Sequence, residues 1–231
     1  MKKNRILFAL TSHGDKGNTG QKTGFYVPEA AHPWALLRTQ GYEIDFVSPQ
    51  GGQPPMDGAN SADPVIIGFL NDPEVARKIV NTPTPAQLNA ADYAAILFVG
   101  GHGTMWDFPD DQSLTDLAAS IYDAGGVVAA VCHGPAALVN LRLPDGQYLI
   151  KGKRLAAFTD EEERAAGLDR VVPFLLATRL RERGAVHVPA PNWQANVVVD
   201  ERLVTGQNPA SAEGVARAMA KLLNTADSST R

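Results

Sequence analysis

The sequence lacks several features that would indicate particular classes of protein. Its 231 residues include only one cysteine, Cys132, which excludes an intramolecular disulfide and a cysteine-rich zinc site. The net charge is −4, with no basic block, and this argues against nucleic acid as a partner. The apolar run that follows the basic N-terminus spans only residues 6–10, too short for a signal peptide or a membrane span. We therefore expect a cytoplasmic protein with no membrane partner.

Motifs for nucleotides and metals are also missing. No G-x-G-x-x-G follows the first predicted strand, and no G-x-x-x-x-G-K-[ST] occurs, so nucleotide-phosphate binding has no support. His13, His32, His102 and His133 show no metal-ligand spacing such as H-E-x-x-H. We expect neither a metal nor an organic cofactor.

Short apolar runs alternate along the chain with segments of helical composition. The hydrophobic fraction of 44% and the charged fraction of 20% are those of a globular protein. Strands are predicted over 6–10, 43–47, 94–99, 127–131, 154–158, 197–200 and 203–206. The longer predicted helices cover 28–39, 112–124 and 211–223. This alternation predicts one α/β domain over residues 1–231, with a doubly wound, mostly parallel sheet and helices on both faces.

Cys132 lies at the centre of this pattern, between the apolar strand 127–131 and the pair Gly134-Pro135. Proline has its φ preset for a first helical turn, so Cys132 is predicted at a sharp strand-to-helix turn, a nucleophile elbow. Free N–H groups at a helix N-terminus favour a thiolate and predict a lowered cysteine pKa. The alternative is an inert cysteine buried at a strand end. The Gly-Pro pair and the adjacent His133 favour a reactive cysteine over an inert one.

Other polar groups also follow predicted strands. Ligands of doubly wound sheets bind at the carboxyl ends of strands, so we expect these groups to share a crevice with Cys132. Glu29 could act there as a general acid or base, or simply complement a helix dipole. The glycine-rich turn 100–103 could offer backbone N–H groups to an oxyanion, or be a plain turn. One acid of the run 160–163 could orient His133, or the run could be a solvated helix cap.

Taken together, these segments resemble the ThiJ/PfpI superfamily, whose fold is related to class I glutamine amidotransferases. The most similar branch contains heat-shock chaperones and glutathione-independent glyoxalases (glyoxalase III). The resemblance covers nearly the whole chain and runs through residues 9–12, 23–33, 45–49, 101–109, 129–135 and 203–211. The Cys-His-Gly-Pro elbow is common to much of the superfamily, whereas Glu-Ala-x-His-Pro and Gly-His-Gly-Thr are more specific to this branch. The fold that this resemblance implies is flavodoxin-like, of the class I glutamine amidotransferase type.

The resemblance also implies roles for individual residues. Cys132 resembles the family nucleophile, Glu29 the carboxylate that approaches the cysteine sulfur, and His133 the family histidine. The third acidic residue of the family comes five positions after a strand phenylalanine, which selects Glu163 here. Asp160 is a second choice, because the neighbouring acids leave the register open.

The turn formed by Gly100, Gly101 and His102 resembles the part of the family site that binds substrate and stabilises an oxyanion. The implied function is a cofactor-independent lyase of the glyoxalase III or D-lactate dehydratase type, active in methylglyoxal detoxification and stress response. It would convert small 2-oxoaldehydes to 2-hydroxy acids through a Cys132 hemithioacetal, with Glu29 as general acid and base. A homodimer is a further expectation from the resemblance.

Alternative functions remain open at this point. A holdase chaperone would need a large exposed apolar patch. A protein deglycase would use the same thiol, and a redox sensor would use its oxidation. The chain starts directly at its first predicted strand, without the N-terminal extension of the larger bacterial chaperones, which favours the enzyme.

Overall fold

The computed structural model describes residues 4–228, with side chains described as far as Thr225. Its strands are β1 (Arg5–Ala9), β2 (Phe25–Tyr26), β3 (Glu43–Val47), β4 (Met56–Asp57), β5 (Ala95–Phe98), β6 (Val127–Val131), β7 (Arg154–Leu155), β8 (Val186–His187), β9 (Val197–Asp200) and β10 (Leu203–Gly206). Its α-helices are α1 (Val27–Thr39), α2 (Pro64–Asn71), α3 (Pro73–Ile79), α4 (Thr104–Asp107), α5 (Gln112–Asp123), α6 (Asp160–Ala165), α7 (Leu176–Glu182) and α8 (Ala212–Ser228). Among the described residues, no helix is long and apolar enough to cross a membrane.

The central sheet has six strands in the order β3-β1-β5-β6-β10-β9. Every neighbouring pair is parallel except β10 and β9, which run antiparallel at one edge. The chain moves outward from β1 to β3 and then returns to the other side of β1 with β5. This reversal places a crevice at the carboxyl ends of β1 and β5, where doubly wound sheets bind their ligands. The predicted sheet is confirmed.

Helices cover both faces of the sheet because its inner strands are apolar throughout. All five residues of β6 are buried, which requires cover on each face. Helix α8 packs on β6 and β10 and against α1, while α5 packs on β5 and β6. The crevice stays open at the strand ends, where Glu29 opens α1, Gly100 follows β5 and Cys132 follows β6.

Three predicted elements differ most in extent from the structure. The strand predicted over 154–158 ends at Leu155, because the Ala156 N–H donates to the Thr205 hydroxyl and the Phe158 N–H to the Cys132 carbonyl. The helix predicted after Cys132 is a short 3-10 helix over Gly134–Leu138. The last helix continues past residue 223, where the sequence predicts its end, to Ser228.

Candidate active site

Cys132 occupies a strained elbow. Its φ of +59° lies in the left-handed region, which non-glycine residues rarely adopt. Hydrogen bonds hold the backbone on each side, since the Cys132 N–H donates to the Gly206 carbonyl at 2.9 Å and its carbonyl accepts from the Phe158 N–H at 3.0 Å. The thiol is consequently fixed at the end of β6, as the sequence predicts for a nucleophile elbow.

A chain of polar contacts leads away from the thiol. The Cys132 Sγ lies 3.3 Å from Nδ1 of His133, and Nε2 of His133 lies 2.7 Å from Oε2 of Glu163. The other oxygen of Glu163, Oε1, lies 2.9 Å from Nε2 of His102. Burial alone would raise the pKa of Glu163, but the two imidazoles outweigh it and lower the pKa to about 2. Glu163 is therefore an ionised acceptor that both histidines share.

The charge of Glu163 fixes the tautomer of His133. A carboxylate only accepts hydrogen bonds, so Nε2 of His133 carries a proton and Nδ1 keeps its lone pair towards Sγ of Cys132. Burial, helped by His102, lowers the pKa of His133 to about 4, although Glu163 opposes this shift. A neutral His133 can accordingly accept the thiol proton.

The carboxyl group of Glu29 also contacts the Cys132 thiol. The side chain is fully buried, and within residues 4–228 neither carboxyl oxygen has a hydrogen bond of normal geometry. Burial raises its pKa to about 8, although contacts with the Cys132 thiol and the Gly100 N–H lower it in part. A Cβ on Gly100 would lie 2.2 Å from Oε2 of Glu29 and 2.9 Å from Cβ of Cys132. Only glycine at this position lets the carboxyl group reach the cysteine.

The pKa of Cys132 is raised, whereas the sequence predicts that it is lowered. Burial raises it well above its usual range, and the charge of an ionised Glu29 raises it further. The His133 N–H lowers it, as a turn amide should, but the effect of burial is larger. The lowered pKa that the sequence predicts is therefore wrong. The resting pair is a thiol beside a carboxylic acid, with His133 placed to deprotonate the thiol.

The two glycines at positions 100 and 101 of the turn face different parts of the site. Gly101 has a φ of +108°, and a Cβ there would lie 2.2 Å from the Gly24 carbonyl, so the turn needs glycine. The Gly100 N–H is directed at Glu29, whereas Gly101 and His102 line the cavity. An oxyanion role for this turn stays a prediction, and it falls on Gly101 rather than on Gly100.

Asp160 is held elsewhere. Its Oδ2 accepts a hydrogen bond from the Thr178 hydroxyl at 2.6 Å and one from Nη2 of Arg181 at 3.0 Å. The side chain ties α6 to α7 and leaves Glu163 as the acid beside His133. The structure thus places Glu163, the first choice for the third acidic residue, against His133, and Asp160, the second choice, against α7.

The side chains of Cys132, His133 and Glu29 line one cavity of ≈ 260 Å³. Its lining includes residues predicted from the sequence, namely Glu29, Gly101, His102, Cys132 and His133, and others that were missed, among them Tyr26, Asp57, Phe158, Trp193 and Lys16. Tyr26 lies three residues before Glu29, inside the stretch that carries the resemblance, so its position offered a signal. Trp193 follows no motif, and sequence reasoning had nothing with which to find it.

Tyr26 is rigidly placed beside the thiol and Glu29. Its N–H donates to the Gly100 carbonyl at 2.9 Å, and it pairs with Asp57 between β2 and β4. In the described part of the chain its hydroxyl has no hydrogen-bond partner. Burial, with smaller effects of Glu29 and Asp57, raises its pKa, so the phenol is a neutral donor facing the cavity.

A metal ion would find donor atoms here that sequence spacing does not reveal. One donor atom from each of His102, His133 and Glu163 lies within 4.8 Å of the others. The same atoms already hydrogen-bond to one another at 2.7 and 2.9 Å. A metal would have to replace these hydrogen bonds, so the donor set is occupied by its own network.

Comparison with known proteins places this site in a family. Residues 22–222 match the DJ-1/PfpI family. The chain belongs to the DJ-1/PfpI family. This confirms the resemblance derived from the Cys-His-Gly-Pro elbow and its companion segments.

Within the DJ-1/PfpI family, several relatives cover almost the whole chain. Glutathione-independent glyoxalase HSP31 of Saccharomyces cerevisiae is 38% identical over 229 residues, which span 92% of this chain and 94% of the relative. The crystal structure of glyoxalase III from Candida albicans has a TM-score of 0.85 at 34% identity, covering 94% of this chain and 96% of that one. Rapid Encystment Protein 24 KDa (REP24) of Francisella tularensis has a TM-score of 0.92 at 38% identity, covering 96% and 99%.

Proposed function

We propose that this DJ-1/PfpI protein is a glutathione-independent glyoxalase that converts methylglyoxal and related 2-oxoaldehydes to 2-hydroxy acids. The observation that carries the proposal is the buried carboxyl of Glu29 beside a cysteine that His133 can deprotonate, all in one cavity. The names of the yeast and Candida relatives support the same activity.

The first step is addition of the thiol to the aldehyde. Nδ1 of His133, at 3.3 Å from Sγ, takes the thiol proton as the sulfur attacks the aldehyde carbon C1. The imidazolium that forms is stabilised by ionised Glu163 at 2.7 Å. It then gives the proton to the aldehyde oxygen, which completes a hemithioacetal on Cys132.

The second step moves a proton between neighbouring carbons. Glu29 in its ionised form removes the C1 proton and gives an enediolate, and it then returns that proton to C2. The C1 hydroxyl passes its proton to the C2 oxygen as the C1 carbonyl forms, and the product is a thioester of the 2-hydroxy acid on Cys132. A pKa near the working pH suits a group that both takes and returns a proton, and Glu29 has a pKa raised to about 8.

Hydrolysis of the thioester completes the cycle. Water attacks the C1 carbonyl and gives a proton to Nδ1 of His133, which passes it to the departing sulfur, and methylglyoxal has become lactate. C1 has been oxidised and C2 reduced within one molecule, so the balance requires no external oxidant or reductant. The hydroxyl of Tyr26 is free to donate a hydrogen bond to a substrate oxygen and help to hold the enediolate.

The test is an assay without glutathione. Purified protein is incubated with methylglyoxal, and lactate and its chirality are followed, with Cys132→Ala alongside as the control. Lactate from the parent and none from Cys132→Ala is the expected result. A folded parent with a titratable thiol and no lactate formation would overturn the proposal.

We further propose that the chain acts as a single α/β domain, as a homodimer and in the cytoplasm. These expectations come from the family resemblance and from composition. Sedimentation of the purified protein tests the dimer, and fractionation of the source cells tests the location.

A further inference from the structure

The cavity is larger than the proposed reaction needs. Methylglyoxal takes up roughly the volume of two or three water molecules, about 60–90 Å³, whereas the cavity holds ≈ 260 Å³. The proposed chemistry uses only the end where Cys132 and Glu29 lie. Most of the remaining volume has no role in it.

One wall of this free volume is a row of aromatic rings. The ring of Phe158 lies 4.3 Å from the His133 imidazole, centroid to centroid. The ring of Trp193 follows at 5.7 Å from Phe158, with an angle of 62° between the planes. The Phe158 N–H bonds to the Cys132 carbonyl at 3.0 Å, which fixes this wall relative to the thiol. The row therefore leads from the reactive sulfur to the mouth of the cavity.

Trp193, at that mouth, has an unfavourable backbone conformation and an exposed side chain. Its φ of +65° is left-handed, and 52% of this large apolar residue is exposed. Bulky residues seldom adopt such a backbone, and observed outliers of this kind cluster at ligand sites. Because the exposed residue also lines the cavity, its ring is placed to be covered by a bound ligand.

A buried carboxylate imposes this backbone. Oε1 of Glu162 accepts hydrogen bonds from the Trp193 N–H at 2.8 Å, from Nε2 of Gln207 at 3.1 Å and from Nδ2 of Asn208 at 2.9 Å. Its Oε2 accepts from the Thr159 N–H at 3.0 Å. Glu162 is fully buried, and it joins the Trp193 loop to the end of β10 and to the start of α6. It is a positioning residue for Trp193.

We propose that Phe158 and Trp193 form a subsite for the substituent on C2 of the 2-oxoaldehyde, and that the preferred substrates carry an aromatic group there. The inference rests on the proposed glyoxalase function and names its substrate class. With C1 bound to Cys132, an aryl group on C2 extends along Phe158 and lies against Trp193. Edge-to-face ring contacts stabilise such a group beyond simple burial of its area.

The test compares kcat/KM for phenylglyoxal and for methylglyoxal in the parent and in variants. The parent should prefer phenylglyoxal, and Trp193→Ala should lower the ratio of the two values at least about tenfold, or about 1.4 kcal/mol. Trp193→Phe should recover most of the ratio, and Val199→Ala, an exposed residue on β9, should leave it unchanged. A parent with no preference, or equal losses for both substrates in Trp193→Ala, would overturn the proposal.

Glu162→Gln tests the positioning role. Both oxygens of Glu162 accept hydrogen bonds, whereas a glutamine side chain accepts only through its one oxygen. This variant should therefore lower the ratio of kcat/KM for phenylglyoxal to kcat/KM for methylglyoxal, as Trp193→Ala does. A merely structural role would lower both kcat/KM values equally and leave the ratio intact.

A binding experiment separates failure of the subsite from failure of the glyoxalase proposal. Acetophenone carries the aryl group but no aldehyde, and its binding to Cys132→Ala can be followed by ligand-observed NMR. Affinity should fall at least about tenfold when Trp193→Ala is added to Cys132→Ala. If the parent turns over neither aldehyde, the glyoxalase proposal fails while this loss still supports the subsite. Equal affinity in the two proteins, or no saturable binding, contradicts the subsite.

Discussion

Replacing Glu29 by glutamine should stabilise the fold while it removes activity. In the unfolded chain this carboxyl has its ordinary pKa of 4.5, and in the fold burial raises the pKa to about 8. Since the folded state binds the proton more tightly, stability falls as the pH rises from the lower value towards the higher one. At pH 7 the 2.5-unit difference from 4.5 amounts to roughly 3 kcal/mol against the folded state, at about 1.36 kcal/mol per unit. Glutamine does not titrate and avoids this cost.

The expected gain is smaller than that figure, because a buried amide also lacks partners in this site. We expect Glu29→Gln to be more stable by about 1–3 kcal/mol near pH 7. For a chain of this size that corresponds to roughly 2–4 °C in Tm per kcal/mol. The gain should grow towards about pH 8 and shrink towards about pH 5. Urea unfolding followed by circular dichroism at both pH values measures it.

Glu162 provides a matched control with the opposite sign. Burial alone would raise its pKa, but hydrogen bonds from Thr159, Asn208, Trp193 and Gln207 lower it. Its charge therefore stabilises the fold above the unfolded pKa, and this contribution is lost as the pH falls. Glu162→Gln should lose stability at neutral pH and approach the parent in acid. Equal destabilisation by Glu29→Gln at every pH would refute the account of Glu29.

Other predictions follow from the same geometry. The kcat/KM for methylglyoxal, which reports the free enzyme, should rise with pH through a pKa of about 8, since Glu29 must be ionised to take the C1 proton; a stopped-flow pH profile of kcat/KM that is flat from about pH 6 to about pH 9 would contradict this. Glu163→Gln should lower kcat by about 10²-fold or more, because the shared acceptor of His133 and His102 is weakened, whereas Asp160→Asn should stay within about twofold of the parent in the same assay. Tyr26→Phe should reduce kcat/KM by roughly tenfold through loss of one hydrogen bond to substrate, and an unchanged value would remove Tyr26 from the site.

The positions of the main strands along the chain, the mostly parallel sheet and the place of the crevice could be predicted from the sequence, for a physical reason. Strands that are buried on both faces form continuous apolar runs, which are recognisable in the sequence. The run of β6, followed by Gly134 and Pro135, predicts the elbow at Cys132. The pattern alone left Glu29 as either a general acid and base or a helix-dipole residue, and it left the acid within residues 160–163 open; the resemblance assigned the role of Glu29 and selected Glu163.

The direction of the Cys132 pKa could not be predicted, because it depends on how deeply the turn is buried. A helix N-terminus and burial act in opposite directions, and only the packing of Glu29 and Gly100 around the thiol decides between them. Trp193 was missed for a related reason. Its place at the cavity mouth follows from hydrogen bonds to Glu162 from segments far apart in the chain.

The central claim is that Cys132 holds the substrate and Glu29 moves its proton. We would follow methylglyoxal labelled with 13C at the aldehyde carbon by NMR, using the parent, Glu29→Gln and Cys132→Ala without glutathione. The account predicts that the label reaches the carboxyl carbon of lactate with the parent, stops as a hemithioacetal on Glu29→Gln, and stays as free aldehyde with Cys132→Ala. Label in the lactate carboxyl at the parent rate with either variant would contradict the account.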